Sequence, residues 1–362
     1  MSVIDPALFE ENQRTAPAAD ERRYARVGEL NCERGGFLPD VTVAYETWGE
    51  LNDSRSNAIV VCHALSGDSH AIGWWDRLIG PGKPINTDEF FVIGTNALGG
   101  CQGTTGPATL DTVGKPWASR FPRVTVGDMV TVQERLVSQL GIEQLHAVAG
   151  GSMGGMMAIE WTRRFPVRKA FITASAHAHG AMQIAFNEAS RQSVKRDPKW
   201  QGGDYDPQDP PADGLSVARM IGHLSYLSDA AFDAKFGRRL QENASVEGQF
   251  QVESYLNYQG DKFTKRFDAN SLLVLTQAID DYEAQSLVGS TTEYLFVSFT
   301  SDWIYPSHQS ATLLKMAQEA GCEARWYDIN LPYGHDAFLL DGTRQGAIVR
   351  AFLRGEVLPE KA

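Results

Sequence analysis

Residues 147–161 read AVAGGSMGGMMAIEW, a segment in which four glycines surround one serine, Ser152. The spacing Gly150-x-Ser152-x-Gly154 is that of a nucleophile elbow, a sharp strand-to-helix turn that exposes a reactive hydroxyl. Such a turn strains the serine backbone and leaves no room for a Cβ atom at the flanking positions. Because glycine and serine are common, the spacing also arises by chance, and a plain structural turn is the alternative interpretation. The apolar run before the serine and the helix-like run after it favour the nucleophile.

The sequence on either side of the serine alternates between short apolar runs and helix-like segments. Residues 125–141 have helical periodicity, with Thr125 as a possible N-cap and a glycine at the end. Strands that alternate with helices imply a parallel sheet covered by helices on both faces. The strands predicted before residue 177 are residues 41–49, 57–65, 90–96, 145–150 and 169–176.

The pattern changes after His177, where long helical segments continue to about residue 288. Residues 197–214, DPKWQGGDYDPQDPPADG, are rich in Pro, Gly and Asp and predict an exposed loop. Strand-like sequence returns at residues 293–301 and 324–330, so the middle of the chain looks like an insertion between two parts of one sheet. We predict an α/β domain in two parts, with a helical lid between them. The predicted limits are 1–176 for the first part, with an N-terminal arm at about 1–35, 177–290 for the lid and 291–362 for the second part.

A serine hydroxyl is a weak nucleophile, so a general base and a group that orients the base should follow in the sequence. In enzymes with this elbow the chain order is Ser, then an acid, then His, with the partners in loops after late strands. Asp302 directly follows the strand at 293–301, and His335 follows the strand at 324–330. We predict that His335 accepts the Ser152 proton and that Asp302 fixes the imidazole tautomer. A solvated loop carboxylate is the alternative for Asp302.

The other histidines suit the role of base less well. His63 precedes Ser152 in the chain and fits the oxyanion loop better than the base. Asp336 is a weaker orienting acid, because adjacent side chains rarely point at one another. The predicted oxyanion donors are the backbone N–H groups of Met153, the residue after the nucleophile, and Leu65, in the loop HALSGDSH. Five further histidines do not follow a strand beyond the insertion, namely His70, His146, His177, His179 and His223.

Composition excludes some functions. The chain has 362 residues and a net charge of −12, which argues against broad binding to nucleic acid or to an anionic membrane. No run approaches the ~18 apolar residues of a membrane helix, and the polar, acidic start matches neither a signal peptide nor a transit peptide. The four cysteines lie far apart without metal-ligand spacing, so we expect free thiols, no metal site and a cytoplasmic protein.

Several long motifs resemble those of homoserine O-acyltransferases, usually called homoserine O-acetyltransferases, which are α/β-hydrolase-fold enzymes of methionine biosynthesis. The resemblance extends from about residue 35 to residue 352. It implies an α/β-hydrolase fold and a ping-pong reaction, in which Ser152 takes the acyl group from acetyl-CoA and the hydroxyl of L-homoserine then accepts it. The motifs include HALSGDSH (63–70), NALGGCQGTTGPAT (96–109), GGSMGGMMAIEW (150–161), ARMIGHLSYLS (218–228) and YGHDAFLLD (333–341).

The resemblance also implies roles for residues that would not stand out alone. Arg219 would hold the carboxylate of homoserine, and Asp336 would hold its ammonium group. Tyr226 is a weaker candidate for the same pocket. Without the resemblance, Arg219 is a surface residue of a lid helix and Asp336 a loop residue. The family further implies that acetyl-CoA is a substrate rather than a bound cofactor, and that two chains form a homodimer through the helical lid.

The choice of acyl group depends on one position. A succinyl group carries a free carboxylate, which needs a cation at the acyl end of the pocket. Similar enzymes that use succinyl-CoA tend to have arginine shortly after the triad acid, whereas this chain has Ile304 there, in SDWIYPS. The apolar side chain favours acetyl. Three alternatives stay open: an O-succinyltransferase acting on homoserine or serine, a serine esterase of the same fold, and a non-enzymatic interaction protein on this scaffold.

Overall fold

A mixed β-sheet forms the centre of the molecule. The computed structural model describes residues 22–242 and 248–360, and within these residues eight strands form this sheet while two others pair separately. The strands are β1 Arg23–Asn31, β2 Phe37–Trp48, β3 Ala58–Cys62, β4 Ile79–Gly80, β5 Ile85–Asn86, β6 Phe91–Thr95, β7 Leu145–Gly151, β8 Val167–Thr173, β9 Glu293–Phe299 and β10 Ala324–Ile329.

The strand order across the sheet is β1-β2-β6-β3-β7-β8-β9-β10, and β4 pairs with β5. All neighbours from β6 to β10 run parallel, whereas β1 and β2 are antiparallel. The prediction of a mostly parallel central sheet is confirmed. The carboxyl ends of the parallel strands therefore meet at one edge of the sheet, which is where α/β folds place their ligands.

Helices cover both faces of the sheet. Apolar side chains of α2, α3 and α9 join the core on one face, and those of α1, α10 and α11 join the core on the other. Central strands such as β3, with the sequence AIVVC, are buried at every position, as expected for strands covered on both sides. The helices are α1 Ala71–Trp74, α2 Val126–Gln139, α3 Met153–Arg164, α4 Ala181–Lys195, α5 Ala212–Tyr226, α6 Asp229–Lys235, α7 Gln251–Thr264, α8 Ala269–Asp280, α9 Ser307–Glu319, α10 Ala337–Leu340 and α11 Arg344–Arg354.

Local sequence signals set several boundaries of these elements. The side chain of Thr125 caps α2 by accepting the N–H of Asp128 at 3.0 Å, and the Asp128 carboxylate accepts the N–H of Thr125 at 2.9 Å. This reciprocal pair is a capping box. The N-cap predicted at Thr125 is therefore present.

Two expectations differ from the structure. Residues 1–21 of the predicted arm lie outside the described residues, but Arg23–Asn31 forms the edge strand β1, paired with β2. The exposed loop predicted at 197–214 is confirmed only for residues 204–211, which are irregular and mostly exposed, because Pro198–Gly203 forms a short 3-10 helix and α5 begins at Ala212. The buried Asp197 carboxylate accepts the backbone N–H groups of Lys199 and Gly214. The proline here begins a short helix instead of marking a loop.

The segment between β8 and β9 contains helices α4 to α8, and α5 packs against both α4 and α7. We call this group of helices the lid. Residues 243–247 of the predicted lid lie outside the described residues, and the limits 177–290 stay a prediction. Among the helices of residues 22–242 and 248–360, none has both the length and the apolar character that crossing a bilayer requires.

Candidate active site

Ser152 lies in a strained turn between β7 and α3. Its backbone has φ 56° and ψ −125°, a left-handed region that residues with a Cβ rarely adopt. A Cβ at Gly154 would come within 2.1 Å of the Cys62 carbonyl oxygen in β3, and one at Gly150 within 2.1 Å of the Gly154 carbonyl oxygen. The glycines let the turn approach the neighbouring strand. Ser152 is buried at this edge of the sheet, with Met153 as the first residue of α3.

His335 and Asp302 come together beside this turn. The distance between His335 Nδ1 and Asp302 Oδ2 is 2.7 Å, and both side chains are buried. The other carboxylate oxygen of Asp302 accepts the N–H groups of Ile304 and Tyr305, at 3.1 and 2.8 Å. An Nδ1–H that donates to Asp302 leaves Nε2 as the acceptor for a proton. The catalytic roles of the three residues stay predictions, and their arrangement is the one these roles need.

Burial and the neighbouring carboxylates shift the pKa of His335 in opposite directions. Burial alone lowers its pKa, because a charged ring is poorly solvated there. The charge and hydrogen bond of Asp302, together with the charge of Asp336, outweigh that effect. The net pKa of His335 is therefore raised above the usual histidine value. A base of this kind holds a transferred proton more readily than a free imidazole does.

A cavity of about 580 Å³ lies between the sheet edge and the lid. Its volume falls in the range of small-molecule and cofactor sites. Two predicted site residues do not line this cavity. Asp302 lies behind His335, and Met153 follows Ser152 in the chain. The predicted site residues that line it are Ser152, His335, Leu65, Arg219, Tyr226, Asp336 and Ile304.

Arg219 projects from α5 into this cavity. Its guanidinium lies 4.8 Å from the ring centroid of Phe263 and 5.4 Å from that of Tyr226, and Nη1 donates to Ser66 Oγ at 3.2 Å. Its Nε atom is buried without a hydrogen-bond partner among the described residues. A buried charged donor without a partner is costly, so this atom is suited to receive an anionic group.

Tyr226 and Asp336 lie close to the same groups. The Tyr226 ring centroid is 6.4 Å from that of His335. Asp336 directly follows His335 and is half-buried in the cavity wall. The cavity wall thus contains a guanidinium from the lid and a carboxylate next to His335 in the chain, two charged groups of opposite sign.

The loop after β3 carries Leu65 and is tied to its surroundings by several contacts. The buried His63 accepts the N–H of Ala97 through Nε2 at 2.9 Å. Arg266 donates to the Ser66 carbonyl oxygen at 3.0 Å. His63 thus holds the loop in place, which agrees with its assignment to the oxyanion loop rather than to the base. The oxyanion donors Leu65 and Met153 stay predictions.

Some residues at the site were not predicted from the sequence. The Tyr305 ring stacks on His335, with centroids 4.9 Å apart, and its hydroxyl contacts both Ser152 and His179. Ser66 supports Arg219 from within a recognised motif, and Tyr305 stands three residues after Asp302, so position alone could have pointed to both. His179 has no comparable signal, because its carboxylate partner Asp280 lies about a hundred residues away.

Comparisons with known proteins agree with this fold. A family model described as the alpha/beta hydrolase fold matches residues 57–341. A protein of Solidesulfovibrio magneticus named homoserine O-acetyltransferase is 48% identical, and the match covers 92% of each chain. One of the same name from Methanococcoides burtonii is 46% identical over 92% of this chain and 74% of its own.

Solved structures give the same result for the fold. A homoserine O-acetyltransferase from Bacillus anthracis superimposes with a TM-score of 0.85 at 28% identity, over 93% of this chain and 98% of its own. The esterase E22 superimposes with the same TM-score and identity, over 92% of this chain and 99% of its own. Enzymes that pass an acyl group to different acceptors therefore share this backbone, and the fold alone does not select the acceptor.

Proposed function

The chain belongs to the homoserine O-acetyltransferase family of α/β-hydrolase-fold acyltransferases, and we propose that it transfers the acetyl group of acetyl-CoA to the hydroxyl of L-homoserine. One observation carries the proposal: a cavity joins Ser152 and His335 to Arg219, whose Nε atom has no hydrogen-bond partner in the part of the chain that the structure describes. The first two groups suit acyl transfer, and the third suits an acceptor with a carboxylate. Acetyl-CoA is a substrate in this proposal, and no bound cofactor takes part.

The first half of the reaction acetylates Ser152. His335 Nε2 takes the hydroxyl proton while Oγ attacks the thioester carbonyl carbon. The oxyanion that forms receives hydrogen bonds from the N–H groups of Met153 and Leu65. When the C–S bond breaks, His335 returns the proton to the departing thiolate. Free coenzyme A leaves, and the acetyl group stays on Ser152 as an ester.

The second half passes the acetyl group to homoserine. Arg219 binds the carboxylate and Asp336 the ammonium group, so the hydroxyl of the amino acid points towards the ester carbon. Tyr226, which contacts Arg219 through its ring face, completes this subsite. His335 takes the homoserine proton and delivers it to Ser152 Oγ as the ester breaks. The product is O-acetyl-L-homoserine. The family implies that this compound is an intermediate of methionine biosynthesis.

Two features of the cavity support acetyl-CoA as the donor. Besides Arg219, its wall contains Lys235, Lys262 and Arg266, although the chain as a whole has a net charge of −12. A local group of cations in an acidic protein suits the phosphates of a coenzyme A thioester. At the acyl end the buried Ile304 offers no cation, which suits an acetyl methyl group and disfavours a succinyl carboxylate.

Donor profiling of Ile304→Arg, with Ile304→Leu as the matched control, tests the choice of acyl group. We expect the parent and the leucine variant to prefer acetyl-CoA, and the arginine variant to lose acetyl-CoA turnover and gain succinyl-CoA turnover. A parent enzyme that turns over succinyl-CoA faster than acetyl-CoA contradicts the proposal. Thermal unfolding of each variant shows whether the buried substitution is tolerated.

The alternative with a specific observation in its favour is a hydrolase, because esterase E22 shares this backbone as closely as the acetyltransferase does. Acetyl-CoA consumption measured with and without L-homoserine separates the two functions. We expect consumption to rise steeply with homoserine and O-acetylhomoserine to form in equal amount. Consumption that does not change with homoserine favours the hydrolase. Faster turnover with L-serine than with L-homoserine shows that homoserine is the wrong acceptor.

We also propose that the protein is a cytoplasmic homodimer whose lids pack against each other. Exposed apolar side chains on α4 and α5, namely Met182, Val217 and Leu224, support this arrangement. We expect Leu224→Glu to shift the sedimenting species from dimer to monomer. Val357→Glu, at an exposed position near the end of the chain, is the matched control and should leave the dimer intact.

A further inference from the structure

One face of α7 lines the cavity from its interior to its mouth. The lining residues recur at intervals of three or four, as residues on one side of a helix do. Phe263 is 3% exposed, whereas Tyr258 is 58% exposed, so this face passes from the buried interior out to solvent. We call it the α7 face. Its members are Tyr255, Tyr258, Gln259, Lys262, Phe263 and, just beyond the end of the helix, Arg266.

Contacts at one end of the α7 face relate it to the candidate active site. Arg266 donates to the Ser66 carbonyl oxygen in the oxyanion loop at 3.0 Å. The ring centroid of Phe263 lies 4.8 Å from the guanidinium of Arg219. This end of the face therefore lies beside the groups that hold the reacting atoms. Tyr258 stands five residues earlier than Phe263, about 7.5 Å away along the helix axis.

Two ammonium groups lie against aromatic rings of the α7 face. Lys262 Nζ is 5.9 Å from the ring centroid of Tyr258, and Lys235 Nζ, at the end of α6, is 4.6 Å from that of Tyr255. No carboxylate within Gln251–Thr264, all of which the structure describes, lines the cavity. Positive charge and aromatic surface therefore occur together here, in a chain whose net charge is −12.

This combination suits a nucleotide that carries phosphate groups. Ammonium groups bind phosphates as point charges, and a base stacks on an aromatic ring without regard to its identity. Coenzyme A has phosphates and adenine at the end of the molecule that is remote from the thioester. A half-open site at the cavity mouth would leave these polar groups partly hydrated while the thioester reaches Ser152 in the interior.

We propose that the α7 face binds the nucleotide of the acyl-CoA donor, with Tyr258 stacked on the adenine and Lys262 and Lys235 in contact with phosphate groups. The inference rests on acetyl-CoA as the donor of the proposed function, and it names the part of the cavity that recognises this donor. The nucleotide does not react, so these contacts are the same in the ground state and the transition state. Their loss raises KM for acetyl-CoA and leaves kcat unchanged.

Lys262→Met, measured with two donors at saturating homoserine, tests the ammonium group. S-Acetylpantetheine has the thioester and the arm of acetyl-CoA but lacks the phosphates and the adenosine. We expect KM for acetyl-CoA to rise by about three- to tenfold, with KM for S-acetylpantetheine at the parent value. Lys262→Arg keeps the positive charge and should recover most of the loss. An equal rise for both donors, or no rise for acetyl-CoA, overturns the proposal.

Lys265→Met is the matched control, because Lys265 is an exposed lysine at the C-cap of α7 that does not line the cavity. We expect it to leave KM for both donors unchanged. A rise in KM for acetyl-CoA equal to that of Lys262→Met would show that only the net charge of the lid matters, and it would overturn the assignment to Lys262.

Tyr258→Ala tests the aromatic ring in the same assay. We expect KM for acetyl-CoA to rise by about five- to tenfold, as for loss of a stacked base, and KM for S-acetylpantetheine to stay at the parent value. Tyr258→Phe keeps the ring and should restore the parent KM. Equal losses in the alanine and phenylalanine variants would show that the ring does not stack on the adenine.

Calorimetric titration with adenosine 3′,5′-bisphosphate separates this proposal from the proposed function, because this probe has no thioester. We expect the parent to bind it and Lys262→Met to bind it more weakly by about three- to tenfold. If the parent forms no acetyl-enzyme from acetyl-CoA, the proposed function fails, and the titration still decides whether the α7 face binds a nucleotide. If acetyl-CoA acetylates the parent but the probe does not bind, the nucleotide site alone is wrong.

Discussion

The sheet edge and the lid contribute different kinds of groups to the same cavity. At the sheet edge, backbone atoms define the reactive groups: Ser152 is fixed by a strained turn, and Asp302 is fixed by two backbone N–H groups. In the lid, side-chain contacts position the groups, as in the bond from Arg219 to Ser66 and the pair of His179 with Asp280. The first region has one geometry set by topology, whereas the second depends on how five helices pack.

This difference suggests a division of roles. In the proposed function, Ser152, His335 and Asp302 at the sheet edge carry out acyl transfer, and Arg219 in the lid selects an amino acid rather than water as the acceptor. Substitutions of Ser152, His335 or Asp302 should therefore impair every acceptor equally, and substitution of Arg219 should impair homoserine alone.

Ser152→Ala should have the largest effect. Removal of the nucleophile prevents the acetyl-enzyme, and we expect acetyl-CoA consumption to fall by about 10⁴-fold or more. Steady-state rates with homoserine and with water as acceptor check this. If only the homoserine reaction falls, the division between the two regions is wrong.

Asp302→Asn should come next, with a loss of about 10³- to 10⁴-fold for either acceptor, because the imidazole tautomer is no longer fixed. The pH profile should change as well. The raised pKa of His335 places the acidic fall in the parent's activity above the usual histidine value, since a protonated His335 cannot act as the base. Without the Asp302 charge that pKa falls, so the residual activity should persist to lower pH. A shift of the acidic limb towards higher pH contradicts this account.

Arg219→Met tests the contribution of the lid to binding the acceptor. We expect kcat/KM for homoserine to fall by about 10- to 100-fold, because the substrate carboxylate loses a charged hydrogen-bond donor. Hydrolysis of acetyl-CoA in the absence of homoserine should stay near the parent rate. Arg238→Met changes an arginine outside the cavity wall and is the control for loss of a positive charge. An equal loss in hydrolysis would place Arg219 in acyl transfer itself.

Ser66→Ala should have the smallest effect. It removes the hydroxyl that accepts from Arg219 Nη1 and keeps the backbone carbonyl that Arg266 contacts. We expect KM for homoserine to rise by about two- to tenfold with kcat unchanged. A fall in kcat with KM unchanged would instead indicate that the substitution disturbs the oxyanion loop.

The sheet edge was largely predictable from the sequence, for physical reasons. Buried parallel strands are continuous apolar runs, and the elbow needs glycines at fixed spacing, so both leave local signals. Chain order then places Asp302 and His335 in loops after late strands, and the structure brings them within 2.7 Å. The arm was less predictable, because β1 is an edge strand whose identity depends on pairing with β2.

The lid was less predictable because its contacts join residues distant in the chain. Helical periodicity identifies α5 and α8 but does not fix which faces meet, so nothing local linked His179 to Asp280. Arg219 and Asp336 came from family resemblance rather than from their own pattern. At residues 197–214, the same Pro, Gly and Asp that predict a loop instead cap and end short helices, with Gly202 at φ 71°.

The most direct test of the central claim is peptide mass mapping after the protein is mixed with acetyl-CoA alone and then with L-homoserine. Our account predicts one acetyl group on the peptide that contains Ser152, and its rapid removal by homoserine with O-acetylhomoserine as the product. Absence of the adduct, or its loss at the same rate with and without homoserine, would contradict it.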